Sequence, residues 1–224
     1  MYAAASLDTW TRRRLSGKTL RMVMKLYDGR MSWNGRKVRL LAAELGLELE
    51  RVALDFRQGD YRAPAYLAKN PNGKIPTLED GDFVLWESHA ILKYLAAKKP
   101  ERALVPADAR GAALVDQWLF WWTSGVETGL NLLLVERMIK PFLGKPGRDA
   151  SIMAEAQALL DRFLPILDAQ LEAREYVLGD LTVVDFAMGA QLDVASMLEV
   201  PLERYAHIQA WLERMRAKPY WKDA

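Results

Sequence analysis

Three groupings carry residue types that chemistry needs, and each sits where a helix is about to begin. Ser32 follows a strand-like run and a polar turn, ahead of a helix expected to start near Asn34. A hydroxyl there can cap the helix by accepting from a backbone N–H, or donate its own proton to an anion at the helix end. Glu87 and Ser88 stand in the same relation to a helix with Ile91, Tyr94 and Leu95 on one face, where unpaired N–H groups and the helix dipole favour a carboxylate. Thr182, with Asp185 three residues later, forms a capping-box pattern, a structural signal worth about 0.5–2 kcal/mol to its helix. Cysteine is absent, which excludes disulfides, thiolate metal sites and a protein thiol nucleophile. The two histidines, His89 and His207, lie far apart, so no zinc site of the histidine type, and no metal, is expected. Any sulfur chemistry must use a borrowed sulfur.

Short elements position these residues. Met22, Val23, Met24, Leu26 and Tyr27 form an apolar run ended by Asp28-Gly29, the pattern of a buried strand. Val38, Leu41, Ala42 and Leu45 recur at helical spacing with Gly46 as a stop, and Leu47 to Leu54 reads as a second strand. Strand, helix, strand at this length is a βαβ unit with parallel pairing. A helical turn is expected around Pro64 to Ala68. Ile75 to Glu79 and Phe83 to Trp86 are strand candidates flanking Asp80-Gly81, a dipeptide that favours a hairpin. Pro100 and Pro106 bracket a stretch without periodicity. Beyond it one spacing recurs in Val115, Trp118, Leu119, Trp122; in Leu160, Phe163, Leu164, Leu167; in Val183, Phe186, Ala187, Ala190; and in Ile208, Trp211, Leu212, Met215, which indicates a helical bundle. The expected fold class is α/β plus all-α. Residues 1–20 are read as a disordered extension, 21–99 as the α/β domain, 100–106 as a linker and 107–224 as the helical domain.

Half of the 224 residues are apolar and 27% are charged, the composition of a globular chain able to bury sizeable cores. The net charge is +2, but Arg12, Arg13, Arg14, Lys18 and Arg21 face only Asp8 in the first 21 residues, which leaves 26 basic and 28 acidic residues for the rest. The basic pI is a property of the tail, and nucleic-acid binding by the body is not expected. No apolar stretch approaches the ~18–20 residues of a membrane span, and the tail lacks the apolar stretch of a secretory signal. No membrane partner and a cytoplasmic location follow as expectations.

The order of elements and three local segments resemble the glutathione transferase superfamily, a thioredoxin-like domain followed by a helical domain. Lys25-Leu-Tyr-Asp-Gly-Arg-Met-Ser-Trp-Asn-Gly-Arg-Lys-Val-Arg39 is similar to the first strand, catalytic loop and first helix of serine-type bacterial, theta-like and phi-like members, in which a serine precedes a basic residue by four positions, as Ser32 precedes Arg36. Asn70-Pro-Asn-Gly-Lys-Ile-Pro-Thr-Leu78 resembles the segment with the superfamily's cis-proline, here Pro76. Trp86-Glu-Ser-His-Ala-Ile91 resembles the loop that takes the γ-glutamyl end of glutathione, and Gly179 to Asp185 the buried capping motif.

The resemblance implies that Ser32 holds the glutathione sulfur as a thiolate, with Asn34 and Tyr27 as rival activators and Tyr27 expected to pack in the core. It implies that the backbone of Ile75, turned by a cis bond to Pro76, pairs with the cysteinyl residue, while Ser88 bonds the γ-glutamyl carboxylate and Glu87 reaches its ammonium. Arg62 or Lys74 would grip the glycine carboxylate. The histidine usual in that loop is replaced by Tyr61. His89 is expected under its helix as a satisfied polar residue. Four large rings at Trp118, Phe120, Trp121 and Trp122 cannot all face one core, so some are expected to border the acceptor site or a partner subunit, with Phe120 and Trp121 as the acceptor-pocket candidates. Trp33 either joins that pocket or covers the helix start. The implied activity is attack by glutathione, the co-substrate, on a small hydrophobic electrophile, with peroxide reduction or dehalogenation open to the same thiolate. A homodimer is implied as well. The competing reading is a non-catalytic binding or regulatory protein of this fold, like translation elongation factor gamma subunits and bacterial stringent starvation proteins.

Overall fold

In the computed structural model, which describes residues 23–222, strand β1 (Met24–Asp28) turns Met24, Leu26 and Asp28 inward and leaves Lys25 and Tyr27 half-buried. Tyr27 is therefore not a core residue. The strict two-residue alternation of a strand puts it on the other face, where its ring tilts against Tyr66 and its hydroxyl donates to Glu79 at 3.1 Å. The N-terminal extension expected over 1–20 lies outside the described residues.

Helix α1 (Trp33–Glu44) crosses to β2 (Leu49–Ala53), which pairs parallel with β1 from Met24↔Leu49 to Asp28↔Ala53. After the short helix α2 (Pro64–Leu67), β3 (Thr77–Asp80) returns antiparallel to β1, and β4 (Phe83–Trp86) folds back on it through the expected Asp80-Gly81 hairpin. The sheet order is β2-β1-β3-β4. Helix α3 (Ser88–Ala97) buries Ile91 and Leu95 completely, as their spacing predicts.

The helical half begins with α4 (Ala109–Ser124). Leu104, inside the expected linker, is buried and accepts a hydrogen bond from Val183 N–H, so that stretch packs onto the helices rather than hanging free. Helices α7 (Ala150–Leu171), α8 (Val183–Leu192) and α9 (Ala206–Arg216) bury nearly all of the repeated apolar positions, Phe163 alone being partly exposed. Helix α5 (Val126–Leu134), a π-helical turn (Val135–Ile139) and the short α6 (Lys140–Phe142) were not among the expected helices. Helix α5 nevertheless buries Val126, Leu130 and Leu133 at i, i+4 and i+7, the same kind of spacing that marks the expected helices, so its stripe was legible in the sequence.

Helices α1 and α8 meet across the boundary between the halves. Arg36 pairs with Asp193 at 2.7 Å, donates to the carbonyls of Ala190 and Trp221, and lies over the Trp221 ring. The basic residue four positions after Ser32 thus ties the halves together. Among the described residues no helix is long and apolar enough to cross a membrane.

Candidate active site

Parallel pairing puts the ends of β1 and β2 on one edge of the sheet, and antiparallel pairing brings the start of β3 and the end of β4 to the same edge, with Thr77 opposite both Tyr27 and Trp86. Loop 29–32, loop 54–63, segment 72–76 and Glu87-Ser88 therefore collect there. Gly29 faces Ile75 so closely that a Cβ on it would meet the Ile75 side chain at 2.9 Å. The bond from Ile75 to Pro76 is cis, as the resemblance implies, and Ile75 lies outside the β3 ladder. Tyr66 and Asn70 hold this segment from behind, both donating to the carbonyl of Lys74 and both bonded to the hydroxyl of Thr77.

Ser32 is the N-cap of α1. Its Oγ accepts from Gly35 N–H at 3.0 Å, which leaves the hydroxyl proton free to donate in the other direction. Capping and donation are compatible roles of one side chain. The first turn of α1 contains no acidic residue. The nearest acid, Asp28, lies beneath Gly35, where any Cβ would collide with its carboxylate. Burial pushes the Asp28 carboxyl up, countered by Arg39 and by the N–H of Gly29. Of the rival activators, Tyr27 spends its proton on Glu79, whereas Asn34 accepts from Gln191, whose amide nitrogen lies 3.4 Å from the Asn34 Oδ1, and that bond does not use the Asn34 amide donors.

Glu87, not Ser88, occupies the N-cap position of α3, and it does so with φ 73° and no side-chain cap bond. A non-glycine residue held at positive φ is strained, a condition that clusters at ligand sites. The turn leaves the Glu87 carboxylate exposed and buries Ser88 as the first helical residue. Arg62 and Lys74 are both exposed near the same edge, and Tyr61 stacks on Phe56 with ring centroids 4.8 Å apart.

The aromatic assignments divide. Trp33 is buried in the core beside Ser32. Trp121 packs edge-on between Trp118 and Phe163, and Phe120 is 73% exposed on α4. Other apolar side chains gather at the sheet edge: Met31 and Phe56 are exposed there, and the Phe142 ring meets the guanidinium of Arg57 at 4.7 Å across the two halves.

The residue that sequence reasoning missed is Lys37. It is fully buried, and its ammonium donates to Glu127 at 3.0 Å and lies 3.1 Å from His89 Nε2. A signal did exist, because Lys37 interrupts an i, i+4, i+8 stripe continued by the buried Leu41 and Leu45. His89 is a satisfied polar residue, kept neutral by burial and by Lys37, which hold its pKa down at about 3. Among the described residues, no three histidine, aspartate or glutamate side chains group as metal ligands would.

Residues 22–97 match the glutathione S-transferase N-terminal domain and residues 133–219 the glutathione S-transferase C-terminal domain. A probable glutathione S-transferase, GSTF2, of Oryza sativa subsp. japonica is 35% identical over 199 residues, 88% of this chain and 93% of its own. This chain belongs to the glutathione S-transferase family. Among solved structures, glutathione S-transferase I bound with lactoylglutathione superposes with a TM-score of 0.80 at 30% identity, covering 90% of this chain and 97% of its own. A glutathione S-transferase from Pseudomonas fluorescens [Pf-5] gives a TM-score of 0.77 at 34% identity, over 88% and 96% of the two chains. Relatives that carry the transferase name over nearly their whole length favour the catalytic reading over the non-catalytic one.

Proposed function

We propose that this transferase binds glutathione along the sheet edge and holds its sulfur as a thiolate against the Ser32 hydroxyl. The carrying observation is the Ser32 geometry: an N-cap oxygen occupied as acceptor but free as donor, at a helix end whose first turn has no acid of its own. A free thiol with pKa ~8.5 is mostly protonated at neutral pH. Lowering that value by ~2 units requires ~2.7 kcal/mol of preference for the anion, within reach of one charge-assisted hydrogen bond reinforced by a helix dipole.

The rest of the tripeptide follows the edge. The backbone of Ile75, beside the cis bond to Pro76, takes the cysteinyl residue like an added strand. Ser88 at the start of α3 takes the γ-glutamyl carboxylate, Glu87 its ammonium, and Arg62 or Lys74 the glycine carboxylate. The hydrophobic electrophile then lies where Met31, Phe56 and Phe142 are exposed, beyond the Trp33 that floors the loop. Phe120 and Trp121 take no part in this reading: Trp121 packs between Trp118 and Phe163, and Phe120 is exposed on α4. Phe120, largely exposed on α4, suits the contact of a homodimer instead. The enzyme works in the cytoplasm.

Titration calorimetry with glutathione tests the reading. Saturable binding below millimolar concentration is expected, and no heat of binding at several millimolar would remove it.

A further inference from the structure

A lysine sealed in a protein interior is costly to keep there. Burial pulls the Lys37 ammonium down from its ordinary value, opposed by Glu127 and, more distantly, by Glu87. Glu127 in turn accepts from the Gln191 amide at 2.8 Å, and Gln191 accepts from Trp122 Nε1 at 2.6 Å. With Lys37 donating to its Nε2, neutral His89 carries its proton on Nδ1, facing Thr123 Oγ1 at 3.2 Å. Buried ion pairs of this kind add little net stability over an apolar pair of the same size. Stability therefore gives no reason for the pair.

Its placement does. Lys37 lies on α1, five residues beyond Ser32, and reaches both neighbours of Ser88 on α3: the side chain of His89 by a hydrogen bond and the carboxylate of Glu87 by charge. We propose that Lys37 is a positioning residue for the γ-glutamyl end of glutathione, fixing the strained Glu87-Ser88 turn of α3 to the helix whose N-terminus carries Ser32. One cation thus sets the span between the sulfur site and the γ-glutamyl site, while Glu127 and Gln191 anchor it to the helical half. The inference rests on the glutathione reading given above.

The test separates position from stability. In Lys37→Met/Glu127→Gln both charges are gone, so thermal stability should stay near that of wild type, whereas KM for glutathione should rise about tenfold, the size of one lost hydrogen bond to a charged group, with kcat at saturating glutathione little changed. Glu127→Gln alone keeps the cation and should show a lower Tm than the double variant but a smaller rise in KM. His89→Leu cuts the link to α3 while leaving the ion pair, and should raise KM in the same sense as the double variant. A KM that tracks Tm across these proteins, or stays at the wild-type value in both the double variant and His89→Leu, would overturn the role of Lys37. Wild-type enzyme that binds no glutathione would instead take down the functional reading beneath it.

Discussion

Helices α1 and α8 pack against one another, yet their N-termini are finished in opposite ways. At α8 the dipole and the unpaired N–H groups are neutralised from within. Asp185 is fully buried and accepts from Val177 N–H, Thr182 N–H, the Thr182 hydroxyl and Trp211 Nε1, at 2.9 to 3.2 Å, while Thr182 Oγ accepts from Val184 N–H. At α1 the cap is one half-buried serine with one backbone bond, and the first turn has no acidic residue of its own, the Asp28 carboxylate beneath Gly35 being paired with Arg39. The same electrostatic demand is met by the chain in one place and, in the function proposed above, by a ligand in the other. A helix start is thus a site only where the protein has not already supplied the anion.

The sharpest way to break the comparison is to empty the filled end. Asp185→Ala leaves buried donors on Val177, Thr182 and Trp211 without partners, and should cost about 3–5 kcal/mol in urea denaturation. Burial also pushes the Asp185 pKa up to about 6, in spite of its hydrogen bonds. A carboxyl whose folded pKa lies above its unfolded one favours folding most when protonated. Its contribution is therefore complete below about pH 4 and declines as pH rises through about 6. Glu127 and Asp193, whose pKa values are lowered by Lys37 and by Arg216 and Arg36 against the effect of burial, slope the other way in wild type and variant alike. The wild-type advantage over Asp185→Ala should accordingly be larger near pH 4 than near pH 7. An advantage that grows with pH would mean that the four hydrogen bonds outweigh desolvation.

At the open end the large effect should be on rate. Ser32→Ala should lose conjugation of an activated aryl halide by ~10²-fold or more, the usual consequence of removing one donor to a developing or stabilised anion. Full activity in that variant would return the role to Asn34 or Tyr27.

How much of this contrast was legible in the sequence depended on how local the signal was. Thr182 and Asp185 declare a capping box three residues apart, and the apolar spacings of α4, α7, α8 and α9 declare a buried face, because each reports contacts within one element. Ser32, Pro76, Glu87 and Ser88 were named from motif likeness, and topology alone gathers them, through the parallel β1–β2 and antiparallel β1–β3 and β3–β4 pairings. For Phe120 and Trp121, aromatic content shows that some rings must leave the core without showing which surface they reach. Lys37 was missed because a lysine in a helix reads as solvated until its partners, 52 and 90 residues away, are folded against it.

The smallest effect discriminates best between the two helix starts. Ser32→Ala and Thr182→Ala each remove a single cap hydroxyl, so each should cost about 0.5–2 kcal/mol of stability. The Thr182 hydroxyl both accepts from Val184 N–H and donates to Asp185, whereas Ser32 makes one cap bond, so Thr182→Ala should lie toward the upper end of that range. Turnover should part the two variants, because nothing at the α8 start is left to meet a substrate and Thr182→Ala should keep wild-type kcat/KM. Paired thermal melts and aryl-halide assays read both quantities. Equal losses of activity would mean that a cap acts only by steadying its helix, and the electrostatic distinction between the two ends would fall.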